Sequence, residues 1–230
     1  MKLSIIIPTY NEAQYIGRLL DRIISEQDTN TEIIVVDGGS EDETLKIVSN
    51  RDVIVFNSDL SRAVQMNVGA EKARGEVLYF VHADTLPPVG FLKDINEALN
   101  EGCIAATYRS KFDSGKWLLK INEFFTRFNR LYCRGGDQSL MIKKEFFDEL
   151  GRFDESLKIM EEYPLIKRLM DSKRLKVFDK TILISSRKYE QNSWLKVNLA
   201  NLKAYKMFKR GEDSLKIKET YCQKLQSPDV

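Results

Sequence analysis

The sequence predicts an α/β fold, a mostly parallel sheet with helices on both faces. Three observations carry this. Short β-branched runs alternate with longer helical patterns through the first half, the runs are too apolar to face water, and a polar turn follows several of them.

Taken in order, Leu3–Pro8 reads as the first strand. Glu12–Ser25 reads as a helix that puts Ile16, Leu19, Leu20, Ile23 and Ile24 on one face. Ile33–Asp37 is the second strand, followed by a Gly-Gly-Ser turn and a short helix over Thr44–Val48. Val53–Phe56 is the third. Ser61 is the expected N-cap of a helix running to Arg74, with Gly75 as its C-terminal stop. Val77–Val81, almost wholly apolar, is the fourth strand.

The second half is less regular. Phe91–Asn100 reads as a helix and Ile104–Tyr108 as a strand. Lys116–Tyr132 has the spacing of a strongly amphipathic helix, with Trp117, Leu118, Ile121, Phe124, Phe125 and Phe128. Ser139–Ile142 is a strand, and Glu161–Met170 a helix that tolerates Pro164 in its first turn. Leu175–Phe178 and Thr181–Ile184 read as separate strands. Trp194–Phe208 is the last amphipathic helix, beyond which polar residues predict a frayed tail. No repeat, low-complexity stretch or linker interrupts the chain, so one domain over residues 1–230 is expected.

Composition narrows the partners. Hydrophobic residues at 43% and charged ones at 30% belong to an ordinary globular protein. Lys and Arg number 36 against 34 Asp and Glu, a formal +2, which lacks the basic excess of a nucleic-acid binder. The apolar runs Leu3–Pro8 and Ile33–Val36 are too short to span a bilayer. Met1-Lys2 leads straight into a strand, so no secretory signal and a cytoplasmic location are expected. Cys103, Cys133 and Cys222 are scattered without metal-ligand spacing and read as free thiols, packed as small hydrophobes.

In an open parallel sheet, ligands bind beyond the carboxyl ends of the strands. Those ends carry Pro8-Thr9-Tyr10-Asn11-Glu12, Asp37-Gly38-Gly39-Ser40-Glu41-Asp42 and His82-Ala83-Asp84. Helix N-termini there suit a phosphate chain, and carboxylates suit a divalent cation.

These motifs resemble those of glycosyltransferase family 2, enzymes of the GT-A fold, a Rossmann-like nucleotide-diphospho-sugar transferase architecture. The resemblance extends through Arg62-Ala63-x-Gln65-Met66-Asn67-x-Gly69-Ala70, Gly135-Gly136-Asp137-Gln138, Leu150-Gly151-Arg152-Phe153-Asp154-Glu155 and Met160-Glu161-Glu162, from about Leu3 to Glu190. Met66-Asn67-x-Gly69, Gly136-Asp137-Gln138 and Arg187-Lys188-Tyr189-Glu190 are most similar to the "transferase 2" subgroup associated with radical-SAM and selenodomain proteins. That subgroup is also labelled arsenosugar-biosynthesis glycosyltransferase.

The resemblance implies an inverting enzyme that moves a sugar from a nucleotide-diphosphate donor, a UDP- or GDP-sugar, to an acceptor hydroxyl with Mn²⁺ or Mg²⁺. The acceptor is a small molecule or lipid-linked. Residues 1–110 would form the donor half, 111–192 the acceptor and catalytic half, and 193–230 a C-terminal helix and tail. Pro8, Thr9, Tyr10, Glu12 and Asp37 would hold the nucleoside, and Asp37 inclines the donor toward UDP by accepting the uracil imino proton. Family members commonly have a second aspartate where this chain has Gly38. Arg62 falls beside the donor diphosphate, with Gln65 and Asn67 nearby.

The x-Ala-Asp element, His82-Ala83-Asp84, is the metal motif, with Asp84 as direct ligand. His82 replaces an aspartate; it would ligate metal, bond a phosphate, contact the sugar, or serve as neutral pocket wall. Met160-Glu161-Glu162 stands where the family has its x-Glu-Asp base, making Glu162 the general base and Glu161 its neighbour. Asp137 and Gln138 would contact acceptor or sugar. Arg187 would join them in contacting acceptor or sugar, and the stretch Arg187-Lys188-Tyr189-Glu190 would close over the diphosphate or form an exposed basic strand end.

Two rival functions share some of these features. One is a catalytically impaired nucleotide-sugar-binding regulator or assembly partner, which the replacements at His82 and Glu162 favour. The other is a sugar-1-phosphate nucleotidyltransferase, which normally opens on a Gly-rich loop followed by arginine rather than Pro-Thr-Tyr-Asn-Glu. The Phe-rich stripe of 116–132 and the helix 194–208 read as core by spacing. Lys116, Lys120, Arg127, Arg130, Lys196, Lys203, Lys206, Lys209 and Arg210 beside them give the alternative, a peripheral contact at the membrane's inner face.

Overall fold

Seven consecutive buried residues form β1 (Leu3–Thr9), and a strand with both faces covered belongs in the middle of a sheet. In the computed structural model, which describes residues 2–226, β1 pairs in parallel with β2 (Thr31–Asp37) on one side and β4 (Val77–Phe80) on the other. The short β3 (Ile54–Asn57) extends the parallel run beyond β2. Helices α1 (Ile16–Ile24), α2 (Thr44–Ser49) and α3 (Arg62–Lys72) make the crossovers.

The rest of the sheet is mixed. After the two-residue β5 (Thr85–Leu86) and α4 (Phe91–Asn100) come β6 (Ala105–Phe112) and α5 (Leu119–Phe125). Then β7 (Leu140–Lys143) inserts antiparallel between β4 and β6. It is followed by α6 (Lys144–Glu149), α7 (Tyr163–Asp171), β8 (Leu175–Ile184), α8 (Arg187–Gln191), α9 (Trp194–Lys209) and α10 (Ser214–Cys222). The described residues form one sheet in the order β3-β2-β1-β4-β7-β6-β8-β5, with an apolar core on each face. Helices α1, α4, α9 and α10 cover one core, and α3 and α7 the other.

Several elements differ from expectation for visible reasons. The first helix starts at Ile16 because Glu12–Tyr15 forms a turn, with Tyr15 N–H donating to the Glu12 carbonyl. Ser61 precedes α3 but caps it through no side-chain bond; its carbonyl accepts from Gln65 N–H. Gly75 is not a helix stop. A Cβ there would stand 2.6 Å from Ser4 Oγ and 2.7 Å from Ser4 N, so the position is glycine for close packing on β1.

The expected helix over 116–132 is only α5 and then breaks. Thr126 accepts from Ser110 N–H of β6, and the Arg134 guanidinium takes the Thr126 and Phe128 carbonyls that a continuing helix would use. The two strands expected after Leu175 are one strand, with a register irregularity opposite Thr107 and Arg109. Arg187 opens a short helix rather than ending a strand. The tail is not frayed over 214–222: Asp213 caps α10, and Ile217 and Tyr221 are buried. The rest of that tail, 227–230, lies outside the described residues. Cys103, Cys133 and Cys222 are unbridged, and Cys133 is buried.

Candidate active site

The parallel half delivers two loops side by side, since Thr9 and Asp37 end β1 and β2 in register. Asp37 is 1% exposed, and its carboxylate is fully engaged. One oxygen accepts from Thr9 Oγ1 (3.2 Å) and Ser40 Oγ (2.5 Å), the other from the Gly39 and Ser40 amides (2.8 Å each). Asp37 therefore shapes the turn. Asn11, at φ +54°, stitches the loops together: its side-chain oxygen accepts from Glu41 N (2.8 Å), and its backbone N–H donates to Ser40 Oγ. Tyr10 stands exposed on this wall, while Pro8 is buried beneath it.

Gln65 lies behind the wall rather than in it, donating to the Thr9 and Val36 carbonyls at 2.7 and 2.9 Å. Asn67 pairs with the Phe153 backbone and Glu155, fixing the loop before α7. Gly38 sits in a close corner. A Cβ there would meet Leu60 Cδ1 at 3.0 Å and Gln65 Nε2 at 3.2 Å, so an aspartate requires this corner to open.

Beyond β4 lies a cluster of charge. Arg187, first residue of α8, forms a fork with Glu12 (3.0 and 3.1 Å) and reaches Asp84 at 3.4 Å. Its guanidinium also lies over the Tyr15 ring. Arg62, first residue of α3, stands 3.5 Å from the buried Glu161. Glu162 accepts from Gly136 N–H at 2.9 Å, tying the base candidate to the loop of Asp137. The His82 imidazole lies against the same glycine, where a Cβ would meet its Cε1 at 2.7 Å. Ala83 is buried in the core and offers backbone only.

The electrostatics follow from this crowding. Burial, then the charge of Glu161, pushes the Glu162 carboxyl well above the ordinary carboxylate range, with Arg62 and the Gly136 amide opposing. Burial raises Asp137 too, as does the charge of Asp84. Burial and Arg62 push His82 down to about 3, so its imidazole is neutral at physiological pH. Burial opposes the charge on Arg62, yet Glu161, Glu162 and Asp84 hold it above its usual value.

Among the described residues, no group of three acidic, histidine or cysteine side chains could hold a metal. A cation carried on a diphosphate takes one or two carboxylates from protein and the remaining oxygens from phosphate and water. Asp84 at the strand end, with Asp137 near enough to feel its charge, is such a hard-oxygen donor set.

The structure thus groups Glu12, Arg62, His82, Asp84, Asp137, Glu161, Glu162 and Arg187, and places Thr9, Tyr10, Asp37 and Gly38 on the adjoining wall. Gln138 is buried; its amide donates to the Cys133 carbonyl, and its oxygen has no protein partner. Sequence reasoning gave no role to Asn11 or Arg134, and took Lys188 only as part of the stretch from Arg187 to Glu190. Asn11 was signalled by an αL-tolerant residue directly after a strand. Lys188 is a charge acting on Asp137, and Arg134 is a buried guanidinium with Nε and Nη1 unpaired by protein.

The chain is 28% identical over 207 residues to an uncharacterised glycosyltransferase of Rickettsia typhi, covering 82% of this chain and 64% of that protein. It thus spans under two thirds of the length of that relative. The poly(ribitol-phosphate) β-N-acetylglucosaminyltransferase TarS of Staphylococcus aureus is 34% identical over 116 residues, 44% of this chain and 19% of that protein. Among solved structures, TarS residues 1–349 superpose with a TM-score of 0.66 at 22% identity, over 97% of this chain and 70% of that one. The mannosyltransferase PcManGT of Pyrobaculum calidifontis, in complex with GDP-Man and Mn²⁺, gives 0.65 at 22% identity, over 86% and 61%. These likenesses and the mixed eight-stranded sheet establish the fold as GT-A. Residues 4–152 match the family described as glycosyl transferase family 2, and the chain belongs to that family.

Proposed function

We propose that this chain is an inverting, metal-assisted glycosyltransferase that moves a sugar from a nucleotide-diphosphate donor to an acceptor hydroxyl. The observation that carries the reading is the Glu161–Glu162 pair. One carboxylate is paired with Arg62, and the other is held by a backbone amide beside His82, with its proton affinity raised. A base with raised affinity is suited to taking a hydroxyl proton near neutral pH.

In this reading the acceptor oxygen attacks the anomeric carbon as its proton passes to Glu162. The bond from that carbon to the diphosphate breaks, and its electron pair leaves with the nucleoside diphosphate. Arg62 and Arg187 hold phosphate oxygens, and Glu12 aims Arg187. Asp84, with Asp137 near enough to feel its charge, would hold the cation, which would supply neutralisation of charge on the departing diphosphate. Neutral His82 packs on Gly136 and serves as pocket wall. Asp137 and Gln138 face acceptor or sugar. Relatives in fold bind UDP, UDP-GlcNAc and GDP-Man, and these are the donor classes to test. Asp37, whose carboxylate also holds its own turn, is the residue on which a preference for UDP would rest. We place the chain in the radical-SAM and selenodomain-associated subgroup on its Met66-Asn67-Val68-Gly69 and Arg187-Lys188-Tyr189-Glu190 segments, and place its site of action in the cytoplasm.

Glu162→Gln tests the mechanism. It keeps the shape and the Gly136 bond but cannot take a proton, so donor affinity by calorimetry stays near wild type while transfer is lost. Glu161→Gln is the milder control. Normal turnover in both variants removes the pair from catalysis and moves the search to Asp137.

A further inference from the structure

Charge is nearly balanced over the whole chain but unevenly spread. Segments 116–132 and 194–210 hold nine of the 36 basic residues and one of the 34 acidic ones. They carry a net +8, leaving −6 on the remainder. All nine basic side chains are exposed.

The same segments expose nine of the sixteen large apolar side chains that reach solvent among the described residues. Ile121, Phe124, Phe125 and Phe128 follow the spacing of one helical face, and Leu195, Leu199 and Leu202 form a second stripe on α9. Their exposures run from 37 to 60%, and Trp117 reaches 69%. Phe124, Phe125 and Phe128 contact one another, with Arg127 stacked 4.0 Å over Phe124. Asn122 locks the two helices side by side, accepting from Trp194 Nε1 (2.7 Å) and donating to Asn198 (2.9 Å). Tyr132 touches Tyr205 across the same junction. A soluble surface rarely leaves so many aromatic and leucine tips together without an occupant.

We propose that this face docks on an anionic lipid bilayer. The aromatic and leucine tips enter the headgroup–acyl boundary, and the basic side chains rest on lipid phosphates. Charge selects the occupant. A second copy of the chain would bring two strongly positive faces together, whereas anionic lipid supplies the opposite charge and an apolar layer at once. Among the described residues no helix is long and apolar enough to cross a membrane, so the contact is peripheral. This proposal is independent of the transfer mechanism.

Vesicle co-sedimentation tests it without any sugar donor. The chain is expected to sediment with phosphatidylcholine vesicles holding about a third phosphatidylglycerol, and not with phosphatidylcholine alone. Binding should weaken as salt rises. Lys203→Gln/Lys206→Gln/Lys209→Gln should lower affinity about a hundred-fold, near five-fold per charge. Phe124→Ser/Phe128→Ser should also lower it while keeping the salt dependence. All five side chains are exposed, and an unchanged thermal melt confirms that each variant folds. Equal binding to neutral and anionic vesicles, or none to either at low salt, overturns the proposal. So does a concentration-dependent dimer that Phe124→Ser/Phe128→Ser abolishes, or tighter binding to a single-stranded RNA oligomer than to the vesicles.

Discussion

The two halves of the site spend their hydrogen bonds differently. Around β1, β2 and α3 the buried polar side chains are committed: Asp37 receives four bonds, Gln65 donates two, and the neighbouring Asn11 joins two loops. Around β6, β7 and the loop before β7, buried polar atoms without a protein partner gather: Arg109 Nε, Arg134 Nε and Nη1, Gln138 Oε1 and Ser139 Oγ. A fully paired wall is preorganised and holds its shape without a ligand. A region with unspent donors and acceptors can still adapt to a ligand that supplies the missing partners.

The largest effect should come from the junction of the halves. Glu162→Gln is expected to lower kcat about a thousand-fold with little change in donor affinity. In the unaltered protein, a base must be ionised to act, so activity should climb as pH rises through the raised pKa of Glu162 and fall below it. Glu161→Gln removes a like charge and should move that limb to lower pH, whereas Arg62→Gln should move it higher; a limb that ignores both variants detaches Glu162 from the profile.

Next in size, Gly69→Ala should cost roughly 3 kcal/mol in denaturant unfolding, because its Cβ lands on the buried Ile6 side chain. Gln65→Leu should cost about 2 kcal/mol by stripping a donor from the Thr9 and Val36 carbonyls, and should loosen donor binding with it. If it leaves affinity intact, the donor wall is less preorganised than its bonding implies. The smallest effect belongs to the other half. Ser139 sits at φ +57°, ψ 165°, a region nearly reserved for glycine, so Ser139→Gly should stabilise by about 1 kcal/mol in the same assay. A destabilised Ser139→Gly would mean that the hydroxyl is held after all.

The same contrast explains what could be read from sequence. β1, β2 and β4 are buried on both faces, so they appear as apolar runs, and parallel order fixes where their polar ends gather. That made Thr9, Asp37 and Asp84 legible as strand-end residues. Strand direction leaves no trace in composition, so the antiparallel entry of β7 was hidden. The Phe-rich stripe has core spacing, yet α5 stops where Arg134 claims its carbonyls, a contact formed between segments that propensity treats separately. The Arg187 position was noticed as charge, but its grip on Glu12 depends on α8, a five-residue helix too short to signal itself.

That grip joins residues 175 apart in sequence. A ribosome adding about 5–20 residues per second delivers Arg187 roughly ten to thirty-five seconds after Glu12. Asp84 is itself made 103 residues before Arg187, so for the later part of that interval the chain holds Glu12 and Asp84 before the arginine that contacts both. The contact between Glu12 and Arg187 is therefore completed late in synthesis, after every strand of the sheet has been made.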